Sequence, residues 1–354
     1  MIDVTIYNQV SHKIVFFNYV MAIGIVAFHS KGVQGFNLID GYDYAIVNNT
    51  LDCIGIVSLG FFFLLSGFLL YQNSDSRNER ERKIYNRLKV SLLPPFLIWN
   101  FIGLIFEVLR LFFIEHKIMS FDLLSVLNGF SFFPYNGPLW YIFALIVLLA
   151  VFPILGSVHK KWCWVAVLMV VTMTSYALSV YFRTGGTLYV TWLVRFFHYL
   201  PLYLIGAFLG KIYKDYIFEA KYERRVTYCL LGGAFLTLAL GLIVFDVHPF
   251  LNFLAYNICP LAIWTLLPAK LFHNEPRALY KTSFLLYVFH GILLLPMGVM
   301  MKRLYVLIPM TPVAIILAKV LTAILLSFVV YLIYMFFKHF LPSRISVLLL
   351  GGRS

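Results

Sequence analysis

The chain has 354 residues, of which 62% are hydrophobic and only 12% are charged, and its formal net charge is +13. Soluble domains are roughly half apolar and a quarter charged, so this composition excludes a soluble globular fold. The apolar runs are continuous rather than alternating, which excludes a porin-like barrel. The positive charge does not require a nucleic-acid partner, because cytoplasmic loops carry excess Lys and Arg in multi-spanning proteins.

Ten apolar segments approach the length of about 20 residues that a helix needs to cross a bilayer. The sequence therefore predicts an all-α membrane protein, a bundle of about ten transmembrane helices. These helices are 14–30, 54–71, 90–113, 138–158, 161–182, 191–210, 226–245, 250–268, 283–301 and 313–337. No loop between them is long enough for a folded domain, so residues 1–354 are expected to form a single integral-membrane domain. The first run lacks a small-residue cleavage site and is expected to remain as the first span.

The distribution of Lys and Arg predicts the orientation of the bundle. With the N-terminus inside, the inner segments hold twenty of these residues and the outer segments hold five. Because cytoplasmic loops are enriched in positive charge, both the N-terminus and the C-terminus are predicted to be cytoplasmic. The depth of each polar residue within its span follows from this orientation.

The first segment, IVFFNYVMAIGIVAFHS, carries a polar residue near each end, Asn18 and His29. Eleven positions, or about three helical turns, separate them. Both therefore lie on nearly the same helix face, about 16 Å apart along the axis. His29 falls at the predicted outer end, and imidazole is the side chain best suited to general-base catalysis near neutral pH. His29 is therefore the first candidate for a catalytic residue.

Six further ionisable side chains lie in the middle or the outer half of predicted spans: Glu107, Arg110, Arg195, His198, His290 and Lys319. Such groups are costly inside a bilayer and usually face a cavity or each other, so they predict a polar cavity near the outer surface. Simpler interpretations stay open. Glu107 and Arg195 can form a structural ion pair, Lys319 can extend to the interface, and an intramembrane histidine can be a hydrogen-bonded packing residue.

Two features mark the predicted cytoplasmic side. Ser66 and Gly67 lie near the inner end of the second helix, where glycine permits either close helix packing or a ligand beside the backbone. The following segment, SDSRNERERKIYNRLKV, is predicted to be a loop with six basic and three acidic residues. Such a loop contacts lipid head groups. Its last cations, Arg87 and Lys89, are also placed to bind the phosphates of a cytosolic ligand.

The sequence contains no phosphate loop, dinucleotide fingerprint, HExxH, CxxC or GxSxG pattern, and metal binding is not expected. Another series of segments stands out in chain order: FNYVMAIGIVAFHS, VSLGFFFLLSGFLL, NRLKVSLLPPFLIW, GPLWYIFALIVLLAVFPIL, HYLPLYLIGAFLG, TSFLLYVFHGILL and LLLGGR. In this order they resemble the landmarks of the integral-membrane acyltransferase 3 family, which acylates bacterial surface glycans and related acceptors. The resemblance runs from about residue 11 to the end of the chain.

Two positions depart from the family pattern. The family's first-helix arginine, eleven positions before the histidine, is Asn18 in this chain. The paired arginines before the third helix are reduced to Arg87 with Lys89. In the family those arginines are thought to serve acyl-donor binding or catalysis. The departures imply another cation in that role, a different acyl donor, a divergent subgroup or an inactive copy.

The resemblance implies an O-acetyltransferase-type enzyme of the bacterial cytoplasmic membrane. It would move an acyl group, expected to be acetyl, from cytosolic acyl-CoA to a hydroxyl of a surface or lipid-linked glycan outside. Acetyl-CoA or another acyl-CoA is then the co-substrate. His29 would act as the general base on the acceptor hydroxyl or relay the acyl group itself.

The other candidate residues divide between the two substrates. Those expected to contact the donor are Asn18, Ser66, Gly67, Arg87 and Lys89. Those expected to contact the acceptor or to support His29 are Glu107, Arg195, His290 and Lys319. The alternative function is a transporter or exporter of a glycan or of an acylated precursor. Internal inverted repeats would favour that alternative, and the sequence shows none.

Overall fold

Helices account for nearly all of the secondary structure in this computed structural model. The structure describes residues 4–30, 44–72, 76–113, 115–117, 122–151, 161–183, 188–212, 232, 249–266, 269–305 and 311–350. The α-helices are α1 Val4–His29, α2 Tyr44–Tyr71, α3 Arg77–Asn86, α4 Leu93–Phe113, α5 Leu123–Gly129, α6 Trp140–Val151, α7 Lys161–Arg183, α8 Leu188–Ile212, α9 Pro249–Leu266, α10 Ser283–Tyr305, α11 Pro312–Phe340 and α12 Ser343–Leu349. Within these residues no strand occurs, and the predicted all-α class is confirmed.

Several of these helices are long and apolar enough to cross a membrane. Among the described residues, five qualify by length and composition: Asn8–His29, Ile46–Tyr71, Asn78–Phe113, Trp192–Gly210 and Pro312–Phe340. The protein is therefore a multi-pass helical membrane protein. The count of ten spans and the inward position of both termini stay predictions. Of the predicted seventh helix, 226–245, all residues except Gly232 lie outside the described part of the chain.

The basic segment before α4 is helical, and its prediction as a loop is wrong. Ser76 caps α3: its side chain accepts from the backbone N–H of Glu79, and the Glu79 side chain accepts in return from the backbone N–H of Ser76. This reciprocal capping box satisfies two backbone donors that a helix start otherwise leaves unpaired. The Ser-x-x-Glu spacing is a local signal that could have predicted α3.

A π-helical segment, Arg87–Leu92, joins α3 to α4, so the chain is helical from 77 to 113. The backbone N–H of Leu93 donates to the carbonyl of Leu88, one residue further back than in an α-helix. Pro94 and Pro95 follow and have no N–H to donate, which favours such a change of hydrogen-bond register. The π segment sets the position of Arg87 on the bundle.

The helices α1 and α2 lie at the centre of the bundle. α1 packs against α2, α10 and α11, and α2 also packs against α8, α9 and α11. The contact of α2 with α8 is close because glycines lie on both helices. A Cβ on Gly67 would overlap the carbonyl oxygen of Tyr203, and a Cβ on Gly206 would overlap that of Leu64. Small residues permit this close approach of two membrane helices.

Candidate functional site

A cavity of about 210 Å³ opens between the central helices. On α2 its lining runs from Phe62 to Leu69, and on α6 it runs from Tyr141 to Leu149. Its polar lining residues are Asn18, Ser66, Arg87, Ser91, Tyr141, Tyr203, Ser283 and Tyr287. The sequence assigned five residues to the donor, and three of them line this cavity: Asn18, Ser66 and Arg87.

Arg87 brings a positive charge to this cavity. Its Nη1 donates to the carbonyl oxygen of Ser66 over 3.2 Å. Among the described residues, no carboxylate lies within ion-pair distance of the Arg87 guanidinium. Asn18 lines the same cavity, and its buried Oδ1 has no hydrogen-bond partner in the described part of the chain. The wall thus combines a cation with an amide that retains hydrogen-bonding capacity.

The hydroxyl of Ser66 is held in place by Tyr141. The Tyr141 hydroxyl donates to the carbonyl oxygen of Phe62 over 3.1 Å, and it lies 3.0 Å from Ser66 Oγ. Because the only hydroxyl hydrogen of Tyr141 is used on Phe62, Ser66 is the donor in the second bond. Tyr141 was not singled out by the sequence, although it lies within the quoted segment GPLWYIFALIVLLAVFPIL.

Two other residues expected at the donor site have different surroundings. Gly67 packs against the backbone of α8 at Tyr203, so of the two interpretations left open, close helix packing is what the structure contains. Lys89 is exposed, and its Nζ lies 5.5 Å from the centre of the Tyr85 ring. Neither residue is part of the cavity lining.

Three aromatic rings of the cavity lining, those of Phe62, Tyr141 and Tyr287, pack against one another. The ring centroids of Phe62, Tyr141 and Tyr287 lie 5.8–6.3 Å from one another. The Tyr287 hydroxyl donates to the carbonyl oxygen of Pro138. One helical turn beyond Tyr287 on α10 lies His290. Tyr287 therefore contacts both the cavity and the next layer of polar residues.

That layer contains a pair of histidines. His29 ends α1 and is exposed, whereas His290 is fully buried. Their ring centroids lie 4.9 Å apart, and the centroid of Tyr287 lies 5.9 Å from that of His290. Neither ring nitrogen of His290 makes a hydrogen bond of good geometry among the residues that the structure describes, although the backbone carbonyls of Leu286 and Tyr287 interact weakly with the ring. The packing interpretation of His290 expected such a hydrogen bond.

Lys319 joins the layer of the two histidines from α11. Its side chain is buried, and its Nζ donates to the carbonyl oxygen of Ser30, the residue after His29. A cation at the C-terminal end of a helix is favoured by the helix dipole. Lys319 therefore stabilises the end of α1 that carries His29, and its extension to the interface is excluded by its burial.

A buried amide network lies beside the same part of α10. Asn136 donates through Nδ2 to the carbonyl oxygen of Val288, and its backbone N–H donates to Asn100 Oδ1 over 3.3 Å. The Asn100 side chain donates in turn to the carbonyl oxygen of Gly129. These asparagines were not predicted, because single short polar side chains carry no distinctive spacing.

Glu107 and Arg195 do not form the ion pair that the sequence left open. Glu107 accepts two hydrogen bonds from Arg110 on its own helix, at 2.7 and 2.8 Å. Arg110 also donates to Glu115. This hydrogen bond, followed by a weaker one from Lys117, holds the pKa of the Glu115 carboxyl below its usual range. Arg195 is exposed, and its guanidinium carbon lies 5.6 Å from the ring centre of Trp140.

Only some of the residues predicted to line an outer cavity therefore lie close together in the structure. His29, His290 and Lys319 meet at one end of α1, while Asn18 lines a cavity about three turns away on the same helix. Asp40 and Asp43, two carboxylates that follow His29 in the chain, lie outside the described residues. Within the described part of the chain, no group of three His, Cys, Asp or Glu side chains is placed to hold a metal ion.

The fold and the site define a class of protein: a multi-pass helical membrane protein with a polar cavity and a histidine pair at different depths along one helix. The family model of the acyltransferase 3 family, described as an acyltransferase domain, matches residues 19–337. The chain belongs to this family, which makes the protein a membrane acyltransferase. No curated protein and no solved structure matches the chain.

Proposed function

We propose that the protein transfers an acyl group, acetyl in the simplest case, from a cytosolic acyl-CoA to a hydroxyl of a glycan on the opposite side of the membrane. The observation that carries the proposal is the separation of two unlike polar sites on α1. Asn18 lines a cavity with Arg87, and His29 contacts His290 about 16 Å further along the helix. A donor on one side and an acceptor on the other require such an arrangement.

The cavity suits the acyl-thioester end of the donor. Its volume of about 210 Å³ is below the range of roughly 300–1,000 Å³ that is usual for sites enclosing a whole drug-sized ligand. The nucleotide part of CoA would then remain outside, near the exposed Lys89. Buried charges are normally paired or coordinated, and Arg87 would find its partner in the polar groups of the donor.

His29 would take the proton from the acceptor hydroxyl. Its exposure at the end of α1 makes it accessible to an acceptor on that side. Lys319, bonded to the neighbouring Ser30 carbonyl, would hold this helix end in position. With both termini cytoplasmic in a bacterial inner membrane, the acceptor would be a surface or lipid-linked glycan. Direct relay of the acyl group by His29 is the second form of the same chemistry.

The test uses inside-out membrane vesicles and radiolabelled acetyl-CoA. We expect label on glycan with the wild-type protein and a loss of about 10²–10⁴-fold with His29→Ala, the usual contribution of a general base. His339→Ala is the matched control, because His339 is an exposed histidine on the last turn of α11. Full acylation by His29→Ala at equal membrane levels would overturn the mechanism. Passage of glycan without label would instead support the transporter.

A further inference from the structure

We propose that His290 is the inner half of a two-histidine proton relay, which carries the proton of the acceptor hydroxyl from His29 to the sulfur of the acyl donor. This inference rests on the proposed acyl transfer. In that reaction the acceptor oxygen forms a bond to the thioester carbon, and the carbon–sulfur bond breaks. The hydroxyl loses its proton and the thiolate gains one, so no further reactant is needed. The acyl group moves outward while the proton moves inward.

The position of His290 fits the inner half of such a relay. Its ring contacts His29 on one side, at 4.9 Å between centroids, and Tyr287 of the cavity lining on the other, at 5.9 Å. His29 is exposed and His290 is fully buried. The two imidazoles therefore form a series of contacts from the exposed end of α1 to Tyr287 in the cavity lining.

The ring nitrogens of His290 are available for this role. Neither makes a hydrogen bond of good geometry in the described part of the chain, and the carbonyls of Leu286 and Tyr287 on the same helix interact with the ring only weakly. Leaving a buried polar group unpaired costs about 1–3 kcal/mol, so a role in packing alone would favour an apolar side chain at this position. A relay needs both nitrogens, because one accepts the incoming proton while the other donates.

Other protic groups in this part of the bundle are engaged elsewhere. The Tyr287 hydroxyl on α10 donates to the Pro138 carbonyl, and Lys319 from α11 donates to the Ser30 carbonyl. The Asn136 amide donates to the Val288 carbonyl. Two titratable side chains contact the His290 ring, His29 and Tyr287. Because the hydroxyl hydrogen of Tyr287 is used on Pro138, His29 is the one that can exchange a proton with His290. The path for a proton between His29 and the cavity therefore runs through His290.

Three substitutions separate a relay from a packing role. His290→Phe keeps a ring without protons to transfer, His290→Gln keeps hydrogen bonding without transfer, and His290→Gly leaves space for added imidazole. We expect the rate of acyl transfer to fall at least about 100-fold in His290→Phe and in His290→Gln. We expect added imidazole to raise the acyl-transfer rate of His290→Gly at least about tenfold. A near-wild-type rate in folded His290→Phe or His290→Gln, or failure of imidazole rescue, would overturn the relay.

The wild-type protein supplies a test that does not depend on variant folding. The acyl-transfer rate is measured in mixtures of H₂O and D₂O. Two protons in motion predict a curved dependence of rate on deuterium content, and a straight line would overturn the relay. Wild-type transfer with a straight line rejects the relay alone. No transfer from acyl-CoA by the wild-type protein would reject the proposed function and the relay with it.

Discussion

The cavity beside Arg87 and the cluster around Arg110 both place an arginine on an apolar helical run, yet they compensate its charge in opposite ways. Arg110 bonds two carboxylates, Glu107 and Glu115, and the side chains of all three are about a third exposed. Arg87 donates to a backbone carbonyl in a cavity wall, where no carboxylate of the described residues pairs with it. The first arrangement is complete without a ligand, and the second has capacity left for one.

The difference shows that an ionisable residue in a predicted span is not by itself a functional signal. The sequence ranked Glu107 with His290 and Lys319 because all are costly in a bilayer. The structure separates them by what each one touches. Glu107 neutralises a neighbour on the surface, whereas His290 lies buried against His29. The predictions below test this separation.

Among the variants that test this comparison, Arg87→Ala gives the largest expected effect. Hydrogen bonds to a charged group contribute about 1.5–3 kcal/mol, which corresponds to roughly a 10- to 100-fold rise in the KM for the acyl donor. Initial rates with varied acyl-CoA at saturating acceptor provide the measurement. Lys89→Ala is the matched variant two positions away. Because Lys89 is exposed, we expect it to change the KM by only a few-fold, within the range of surface charges.

A larger effect of Lys89→Ala than of Arg87→Ala would break the comparison. It would indicate that the charged groups of the donor bind at the surface of the basic segment rather than in the cavity. The same series can include Asn18→Arg, which restores the charge of the family pattern on α1. Because Asn18 and Arg87 line one cavity, a lower donor KM in Asn18→Arg would indicate that the two positions serve the same ligand.

Gly67→Ala tests whether Gly67 serves the contact between α2 and α8 rather than donor binding. The added Cβ would overlap the Tyr203 carbonyl on α8. Overpacking of this kind costs typically about 1–3 kcal/mol, so we expect a lower Tm in detergent. The donor KM of the protein that remains folded should be unchanged. Gly137→Ala is the control, since nothing lies within 4 Å of its added Cβ.

A normal Tm combined with a raised donor KM in Gly67→Ala would contradict this assignment. It would return Gly67 to the set of donor-contacting residues that the sequence proposed.

Glu107→Gln should have the smallest effect. Exposed ion pairs contribute about 0–1 kcal/mol, and Arg110 keeps Glu115 as its second partner. We therefore expect acyl transfer at the wild-type rate and a Tm close to that of the wild type, measured side by side in vesicles and detergent. A loss of activity comparable to that of His29→Ala would place Glu107 in the acceptor site and remove the distinction drawn above.

The sequence alone determined the class of the protein and much of its family identity. Long apolar runs predict membrane spans, because the transfer of a segment from water to lipid depends on its own composition and length rather than on the residues packed around it. The motifs FNYVMAIGIVAFHS and VSLGFFFLLSGFLL are local in the same sense, and the family they indicated is confirmed. The helix α3 was missed although its Ser76–Glu79 capping box is also a local signal.

The tertiary structure decided which of these residues act together. Periodicity places Asn18 and His29 on one face of α1, but the residues opposite that face depend on how α2, α10 and the π-helical segment pack around it. Ser66 and Gly67 are neighbours in sequence, yet one lines the cavity and the other meets α8. Successive helical residues point about 100° apart. Only packing determines whether a polar side chain finds a cavity, a charge partner or another histidine.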